Sequence, residues 1–361
     1  MSDIFAHAWS LLVGERYGLF ARLFIHFDGF ENAWNNFESE SYHTLNMTPE
    51  NFYYIKSIKE KINPEEEYQV LTSQKISFLT INDSDYPNLL KQIPQPPLVL
   101  YYRGDLEVLN KVCIGVVGTR KNTAYGENCT RKIVKELVEQ EVIIVSGFAR
   151  GIDSLAHQFA IDYKGLTVAV MAQGLSTLYP TGNRYLADKI LDTGGLLLTE
   201  FSPKVHCQKH FFLRRNRIIS GLSRGICVVE CPDKSGAINT AQHAFDQNRN
   251  VYVVPGDIYR ENSEGPLKLM QKDKAYPIKD AISMLVDLNL PVLDQASLVK
   301  SNLSAEEKRV LKMIDYGHHT SLQEIYDKTK TPFNLLNSIL IKLEFDGQIV
   351  KNARGYLRVL S

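Results

Sequence analysis

Between residues 76 and 288, short apolar runs alternate with amphipathic segments, and this alternation restricts the fold more than any other feature of the chain. The apolar runs are ISFLTI, LVLYY, VCIGVVG, VIIVSG, LTVAVMA, GLLLTE, GICVVE and NVYVVPG. Intervening segments such as 122–140, 153–163 and 236–247 have helical spacing. Strands that are apolar on both faces and separated by helices predict a parallel sheet covered on both sides. The predicted fold class is α/β, with an extended Rossmann-like parallel sheet.

Two smaller regions flank this sheet. We predict a helical domain at 1–72, the α/β domain at 73–288, a linker at 289–303 and a C-terminal domain at 304–361. In the first region, Thr48 is typical of an N-cap and Pro49 of a first helical position. In the last region, a capping box at 304–307 begins three helical segments, and the turns at 346–347 and 353–355 indicate a hairpin. Three helices and a hairpin are the outline of a winged helix.

Composition limits the possible partners and compartments. The 361 residues contain 41 Lys+Arg and 41 Asp+Glu, so any nucleic-acid site must be a local cluster of positive charge. The five cysteines have neither CxxC nor disulfide-framework spacing, and we interpret them as inert core thiols. The chain begins without a signal-peptide pattern and lacks an apolar run long enough to cross a membrane. A cytoplasmic protein without a membrane partner is predicted.

The loops after the predicted strands carry small and basic residues. Right-handed crossovers place these loops at one edge of the sheet, where glycine backbones and helix N-termini suit phosphate. The candidate phosphate-binding residues in these loops are Gly118, Thr119, Arg120, Ser146, Gly147, Arg150, Gly151, Gly174, Asn183, Arg184, Ser235 and Gly236.

The segment 201–224 is strongly basic and contains no acidic residue. Aromatic residues interrupt it at Phe211 and Phe212, and a basic groove with interleaved aromatics suits single-stranded nucleic acid. Each phenylalanine has core packing as its alternative interpretation. The predicted binding residues in this segment are Phe212, Arg215, Asn216 and Arg217, although the last three have a structural clamp at the sheet edge as their alternative.

No sequence motif indicates an enzyme. The chain contains no GxxxxGK[ST] phosphate loop, no HExxH, no GxSxG and no clustered metal ligands. Asp153 and His157 have the spacing of an acid–base pair, but Asp153 near a helix start is more typical of a cap. We therefore predict no catalytic residue, no metal and no cofactor.

Seven stretches in order give the chain a family resemblance over nearly its whole length. They are YPNLLKQIPQPPLVLYYRGDL (86–106), VVGTRKNTAYG (116–126), SGFARGIDSLAH (146–157), GLSTLYPTGNRYL (174–186), RRNRIISGLS (214–223), SGAINTAQHA (235–244) and VVPGD (253–257). Together they resemble the DNA-processing protein A family (DprA, also called Smf). The resemblance implies a homodimer that binds single-stranded DNA without sequence preference, protects incoming DNA and loads the RecA recombinase during natural transformation.

The resemblance assigns some residues by position. Residues 118–120 match the family's phosphate-binding Gly-Ser/Thr-Arg, residues 183–184 match its Asn-Lys pair, and residues 215–217 match its Arg-Asn-Arg. The N-terminal region resembles the family's SAM-like or helix-hairpin-helix domain, with its glycines reduced to Gly14 and Gly18. The segment SEGPLKLMQKDKA departs from the family pattern, which affects the expected dimer and partner surfaces. Binding by one rim of the sheet requires Arg120, Arg184 and Arg217 to line a common groove.

Two other functions are possible for such a fold. A nucleotide phosphoribohydrolase of the lysine-decarboxylase-like group has a catalytic glutamate where this chain has Gln242, which removes the charge needed beside an oxocarbenium-like centre. A winged-helix transcriptional regulator needs a basic recognition helix, whereas the candidate helix 333–345 has only Lys342 and also carries Glu344.

Overall fold

The computed structural model describes residues 3–38, 41–177, 179–293, 304–314, 320–345, 349–352 and 355–358. The chain forms two compact units, Met1–Val292 and Leu293–Ser361. Most of the predicted linker and the predicted turns at 346–347 and 353–354 lie outside the described residues. The domain boundaries at 72 and 288 stay predictions. No helix in the described ranges has the length and apolarity needed to cross a membrane.

The described residues at the start of the first unit form six helices. They are α1 (Ile4–Val13), α2 (Tyr17–His26), α3 (Phe30–Asn35), α4 (Ser41–Thr44), α5 (Pro49–Lys59) and α6 (Pro64–Ser73). The predicted start of α5 is confirmed, because Thr48 Oγ1 accepts from the N–H of Asn51 at 3.3 Å and Pro49 is the first helical residue. Fully buried Trp9, Phe30 and Phe52 form the centre of this bundle.

Within the described residues, nine strands form one sheet. They are β1 (Ser77–Thr80), β2 (Val99–Gly104), β3 (Cys113–Val117), β4 (Ile143–Gly147), β5 (Thr167–Val170), β6 (Leu196–Thr199), β7 (Gly225–Val228), β8 (Asn250–Val253) and β9 (Tyr276–Pro277). Their order across the sheet is β1-β2-β6-β5-β4-β3-β7-β8-β9. The eight apolar runs in the sequence correspond to β1 to β8, so the predicted α/β fold is confirmed.

The sheet is parallel except at one edge. The β1 strand pairs antiparallel with β2, and β2 pairs antiparallel with β6. The connection from β1 to β2 contains α7 (Asn88–Lys91), which has only four residues and rises about 6 Å. A helix of that length does not return the chain along a strand, so β2 runs back beside the sheet in the opposite direction.

Helices cover both faces of the sheet. They are α8 (Ala124–Glu139), α9 (Ile152–Asp162), α10 (Arg184–Asp192), α11 (Lys209–Leu222), α12 (Gly236–Asp246), α13 (Glu264–Gln271) and α14 (Ala281–Asp287). Alternate residues of β4 belong to opposite layers of the core: Ile144 packs with α8 and α9, while Ile143 and Val145 pack in the layer of α11 and α12. This alternation explains why the strands are apolar on both faces.

The strand order reverses between β3 and β7. From β3 the chain proceeds through β4, β5 and β6 in one direction, and from β7 it proceeds through β8 and β9 in the other. The loops after β3 and β7 therefore separate at the carboxyl edge of the sheet and leave a crevice. In open α/β sheets, ligands bind at such a switch point.

In the second unit, the described residues form three helices and a two-stranded antiparallel pair. They are α15 (Ala305–Lys312), α16 (Leu322–Thr329), α17 (Phe333–Phe345), β10 (Ile349–Asn352) and β11 (Gly355–Arg358). The predicted capping box is confirmed, because Ser304 Oγ accepts from the N–H of Glu307 and a Glu307 carboxylate oxygen accepts from the N–H of Ser304. The assignment of this unit as a winged helix stays a prediction.

Candidate nucleic-acid interface

A cleft of about 690 Å³ opens at the β3/β7 switch point. We call it the switch-point cleft. The loops after β3 and β7, one side of α11, the start of α12, the loop before α9 with the start of that helix, and the loop before α10 form its walls. Its polar, basic and aromatic lining residues include Gly118, Thr119, Arg120, Lys121, Asp153, Tyr179, Lys209, Phe212, Arg215, Asn216, Ser235 and Gly236. The cleft thus brings together eight of the sequence-predicted residues, which come from three separate segments.

The loop after β3 lies against neighbouring backbone. The N–H of Thr119 donates to the carbonyl of Glu230 at 2.7 Å, and the Thr119 carbonyl accepts from the N–H of Ile152 at 3.1 Å. Gly151 precedes Ile152 with φ +80°, and a Cβ at this glycine would lie 2.3 Å from the Thr119 carbonyl oxygen. Only glycine allows this approach, so Gly151 fixes the loop that carries Arg120 and does not itself line the cleft.

One wall of the cleft is aromatic. The Phe212 and Tyr179 rings meet edge to face with their centroids 6.2 Å apart, and the Arg120 guanidinium lies 5.0 Å from the Phe212 ring centre. Tyr179 is 49% exposed, so a planar ligand has access to this wall. Phe211 is instead fully buried, and its ring centroid lies 4.2 Å from that of Phe201. Core packing is therefore the correct interpretation for Phe211, whereas Phe212 lies at the cleft, where a base could stack on it.

The charges of the cleft are mainly positive. Arg120, Lys121 and Lys209 are exposed at its rim, while Arg215 is buried in its floor. Burial lowers the pKa of Arg215 to about 10, which leaves it protonated at neutral pH. Burial raises the pKa of Asp153 to about 6, and the neighbouring Arg215 charge opposes this rise. A single buried carboxyl group thus faces four basic side chains.

The α12 helix begins at the cleft. Ser235 is its N-cap and accepts from the N–H of Ile238 at 3.4 Å, and Asn216 Nδ2 donates to the Gly236 carbonyl at 3.1 Å. These bonds fix the first turn of this 11-residue helix beside α11. The positive end of the helix dipole therefore adds to the side-chain charges, an arrangement that favours phosphate.

Ser146 and Gly147 support the floor from below. Ser146 is fully buried and donates from Oγ to the Val116 carbonyl at 2.6 Å. A Cβ at Gly147 would lie 2.4 Å from Asp153 Oδ2 and 2.6 Å from a terminal nitrogen of Arg215. Both residues therefore position the cleft and do not line it.

Asp153 and His157 do not form an acid–base pair. His157 is fully buried, its Nε2 donates to the Gly147 carbonyl at 2.8 Å, and its Nδ1 lies 2.7 Å from Thr167 Oγ1. Burial lowers the pKa of His157 to about 4. Both imidazole nitrogens are used within the fold, which agrees with the structural alternative for this pair.

Three further candidates surround the cleft without lining it. Gly174 is buried at a point where a Cβ would lie 2.1 Å from the Ser202 carbonyl oxygen, so it allows two loops to cross. Asn183 Nδ2 donates to Ser154 Oγ at 2.9 Å and connects the α10 start to α9. Arg150 is exposed in the loop before α9.

The prediction that Arg120, Arg184 and Arg217 line one groove is wrong, and with it the prediction of binding by a rim that uses all three. A binding role at this edge therefore depends on the residues that do share the switch-point cleft. Arg217 is buried and forms a two-point ion pair with Glu200, at 2.7 and 2.8 Å, while its Nε donates to the Gln95 carbonyl. Arg184 lines a separate cavity beside α10. Only Arg120 of the three lies in the switch-point cleft. The structural-clamp alternative describes Arg217, because its guanidinium is fully occupied by protein acceptors.

Sequence reasoning missed four residues that form or support this site. Lys121 and Tyr179 line the cleft directly, each one residue or a few residues from a predicted position. Glu230 accepts from the N–H and the hydroxyl of Thr123, at 2.6 and 2.9 Å, and holds the loop after β3. Glu200 pairs with both Arg214 and Arg217. The available signal was its position, since it is the acidic residue immediately before the acid-free segment 201–224.

The described residues include no group of three or more His, Cys, Asp or Glu that could hold a metal ion. All five cysteines are free. Cys113, Cys227 and Cys231 are buried, and burial raises the pKa of each thiol. Cys129 and Cys207 are only half-buried, so the interpretation of every cysteine as a core residue is wrong for these two.

Known proteins are similar to this chain over its α/β region. The family model for DNA recombination-mediator protein A matches residues 77–289. DNA processing protein DprA of Bacillus subtilis is 43% identical over 200 residues, which cover 55% of this chain and 67% of the relative. Protein Smf of Escherichia coli is 41% identical over 281 residues, which cover 76% of this chain and 75% of the relative.

Two solved structures are similar to this chain. DNA processing protein A from Streptococcus pneumoniae matches with a TM-score of 0.68 and 29% identity, over 80% of this chain and 99% of that one. DNA processing protein A from Helicobacter pylori, solved in a study of its single-stranded DNA binding mode, matches with a TM-score of 0.54 and 27% identity. That match covers 60% of this chain and 96% of the other.

Proposed function

This chain belongs to the DNA recombination-mediator protein A family, and from that premise we propose that its switch-point cleft binds single-stranded DNA without sequence preference. The observation that carries the proposal is the Arg120 guanidinium above the Phe212 ring, with Tyr179 beside it. The cation and the aromatic surface are close enough together for one nucleotide to contact both. Single-strand binding needs this combination, because phosphates pair with cations while bases stack on rings.

The chemistry of the lining explains the lack of sequence preference. Arg120, Lys121 and Lys209 bear the rim charges, and the start of α12 adds backbone dipoles. These groups recognise phosphate, which every nucleotide carries. Phe212 and Tyr179 offer ring faces and edges on which any base stacks. Neither kind of contact reads a base edge, so affinity follows the backbone and not the sequence.

The protein acts, in this proposal, by binding and not by catalysis. Gln242 stands where the related hydrolases carry their catalytic glutamate, and its amide bonds Asp246 and Lys274 at 2.6 and 2.9 Å. It is not among the residues that line the cleft. Release of free base from a nucleoside monophosphate, at catalytic amounts of protein, would contradict this part of the proposal.

The family also supports finer roles. We propose a homodimer formed through the α/β domain that protects incoming DNA in the cytoplasm and loads the RecA recombinase during natural transformation. The relatives named DNA processing protein support this direction. Measuring RecA filament formation on DNA coated with single-stranded-DNA-binding protein, with and without this protein, tests the loading role.

The binding role is tested by Arg120→Gln and Lys209→Gln, singly and together. Fluorescence anisotropy with labelled oligo-dT, at several salt concentrations, measures the affinity. Because single strands release about 0.7 counterion per neutralised phosphate, each substitution should reduce the slope of log K against log salt by about 0.7. The wild-type slope should be about −2 to −3 per protomer.

Lys135→Gln is the matched control. Lys135 is an exposed cation on α8 that pairs with Glu139, and it lies 11 residues, about 16 Å, beyond the start of that helix. Its substitution removes the same charge far from the cleft and should leave affinity and slope unchanged. Wild-type affinity in the Arg120→Gln, Lys209→Gln double variant would reject the assignment of DNA binding to this cleft.

A further inference from the structure

A second cavity, of about 430 Å³, lies between α6, β2 and α10, and we call it the α10 pocket. Its polar lining residues are Gln74, Arg103, Ser176, Arg184 and Asp188. Apolar side chains, among them Met171, Leu175 and Leu197, form its floor. Two guanidinium groups and an apolar surface thus share one cavity outside the switch-point cleft.

Arg103 is held in place but incompletely satisfied. It lies on β2, and one terminal nitrogen donates to the Gln74 carbonyl at 2.9 Å. Its Nε is buried and has no hydrogen-bond partner in the described part of the chain. A buried donor without an acceptor is destabilising, because the loss of its bonds to water is not compensated. Arg103 lines the α10 pocket, so an anion bound there lies beside its positive charge, whereas the buried Nε faces the protein interior.

Arg184 supplies the second charge. It is exposed at the first position of α10, and Asp188 follows one turn later. Neither side chain forms an ion pair or hydrogen bond with any residue that the structure describes. The pocket therefore has two cations against one carboxylate. That excess of positive charge favours binding of an anion. Because the excess is only one charge, removing the Asp188 carboxylate would double it.

The α10 pocket and the switch-point cleft share one loop. Ser176 lines the pocket and Tyr179 lines the cleft. Three residues of extended chain span at most about 11 Å, so these two positions lie within the length of about three stacked nucleotides. A strand whose base stacks beside Tyr179 reaches the rim of the α10 pocket over the same loop.

We propose that the α10 pocket binds a second nucleotide of the same DNA single strand, with its phosphate between Arg103 and Arg184 and its base or sugar on the apolar floor. This inference rests on the proposed function of the switch-point cleft. It assigns Arg103 to DNA binding, and it gives Arg184 a contact separate from that of Arg120. The protein then holds a strand at two points, on either side of the loop that carries Ser176 and Tyr179.

The test measures oligo-dT affinity as a function of length, from about 4 to about 20 nucleotides. Arg103→Gln and Arg184→Gln should each weaken binding of the long oligonucleotides about tenfold, because each removes a charged hydrogen-bond donor. Asp188→Asn should strengthen it about twofold to threefold by removing a repelling charge. Oligonucleotides too short to leave the cleft should bind all three variants like the wild type.

Asp188→Asn protects the test against loss of folding, since a damaged protein does not bind more tightly. Thermal melts of each variant accompany the titrations. Unchanged affinity of the long oligonucleotides for both Asp188→Asn and Arg184→Gln would overturn the α10 pocket assignment. Dependence on Arg103 seen with thymidine 5′-monophosphate and absent with long oligo-dT would also overturn it, in favour of a free-nucleotide pocket.

Failure of the proposed function gives a different pattern. Arg120→Gln should weaken binding at every length, because every bound strand occupies the switch-point cleft. If Arg120→Gln has no effect at any length, the cleft assignment fails. If Arg120→Gln weakens binding while Arg184→Gln and Asp188→Asn do nothing, only the second subsite fails.

Discussion

Phe211 and Phe212 are neighbours in α11, but successive residues of a helix point about 100° apart. Phe211 therefore enters the core beside Phe201, whereas Phe212 reaches the switch-point cleft beside Arg120. Composition alone does not separate them, because both are aromatic and both lie in a basic segment. The rotation of α11 about its axis determines which of the two rings faces the core, and the packing of α11 on the sheet sets that rotation.

Replacing Phe212 should weaken binding of single strands without lowering stability much. Phe212→Ala removes a ring that stacks on a base, an interaction of about 1 to 3 kcal/mol, so the dissociation constant should rise about 5-fold to about 150-fold. Phe212→Tyr retains the ring and should bind like the wild type. Titration of labelled oligo-dT at one salt concentration measures the change.

Phe245→Ala serves as the comparison for Phe212→Ala. Phe245 is 47% exposed, lies near the end of α12 and contacts Lys274. Its loss removes a similar ring about 14 Å along α12 from the cleft end of that helix. Equal weakening by the two substitutions would contradict a stacking role specific to Phe212.

The predicted arginines lie in different places in the fold. Arg120 lies where its strand-end position predicts, because the loop after β3 follows directly from the sheet topology. Arg217 does not lie where the sequence predicts, because its partners come from distant segments. Glu200 follows β6, and Gln95 precedes β2. A local sequence pattern records a positive charge but not which carboxylate the fold brings against it.

At the scale of elements, α11 is the helix on which the site depends. Its Phe212, Arg215 and Asn216 face the switch-point cleft. Its Arg214 and Arg217 point elsewhere and share the carboxylate of Glu200, which is only 6% exposed. One acidic residue thus fixes the rotation and height of the helix that carries the cleft residues.

Glu200→Gln should strongly destabilise the protein. The substitution leaves two largely buried guanidinium groups without their counter-ion, and removing one partner of a buried pair costs about 3 to 5 kcal/mol. Urea unfolding followed by circular dichroism measures the free energy of unfolding. Asp257→Asn breaks the exposed pair with Arg260 at 3.6 Å and should cost less than about 1 kcal/mol. Similar losses for both variants would contradict the importance of the Glu200 network.

The elements themselves follow closely from the sequence. The apolar runs correspond to β1 to β8 in chain order, and Thr48, Pro49 and Ser304 begin the helices that their cap chemistry predicts. The antiparallel edge of β1 and β2 does not follow, since apolar runs alone carry no direction. Direction depends on the connection, and here α7 is too short to provide a crossover.

At the scale of the whole molecule, buried ionisable groups make the stability depend on pH. His157 has a folded pKa of about 4, below its ordinary value of 6.5, so below pH 6.5 the unfolded chain takes up a proton first. Stability from this residue is lost as the pH falls from about 6.5 to about 4. Asp153 acts in the opposite direction, because its folded pKa of about 6 exceeds its ordinary value of 3.8. The stability that it contributes is therefore lost as the pH rises from about 3.8 to about 6.

The two effects oppose each other, and a substitution separates them. Between pH 7 and pH 4.5, the wild type should lose about 2 kcal/mol more stability than His157→Gln, because only the wild type carries the imidazole that charges on unfolding. Denaturant titrations at several pH values measure the difference. His206→Gln changes an exposed histidine and should follow the wild-type curve. Parallel curves for wild type and His157→Gln would contradict a buried, neutral imidazole.

The Arg214 side chain gives α11 a second attachment, to the start of the protein. It donates to the carbonyl of Glu15 at 2.7 Å and to that of Gly14 at 3.4 Å, in the turn between α1 and α2. The same helix therefore anchors the amino-terminal bundle and shapes the groove for the strand. A displacement of that bundle would therefore act through Arg214 on the helix that carries Phe212, Arg215 and Asn216.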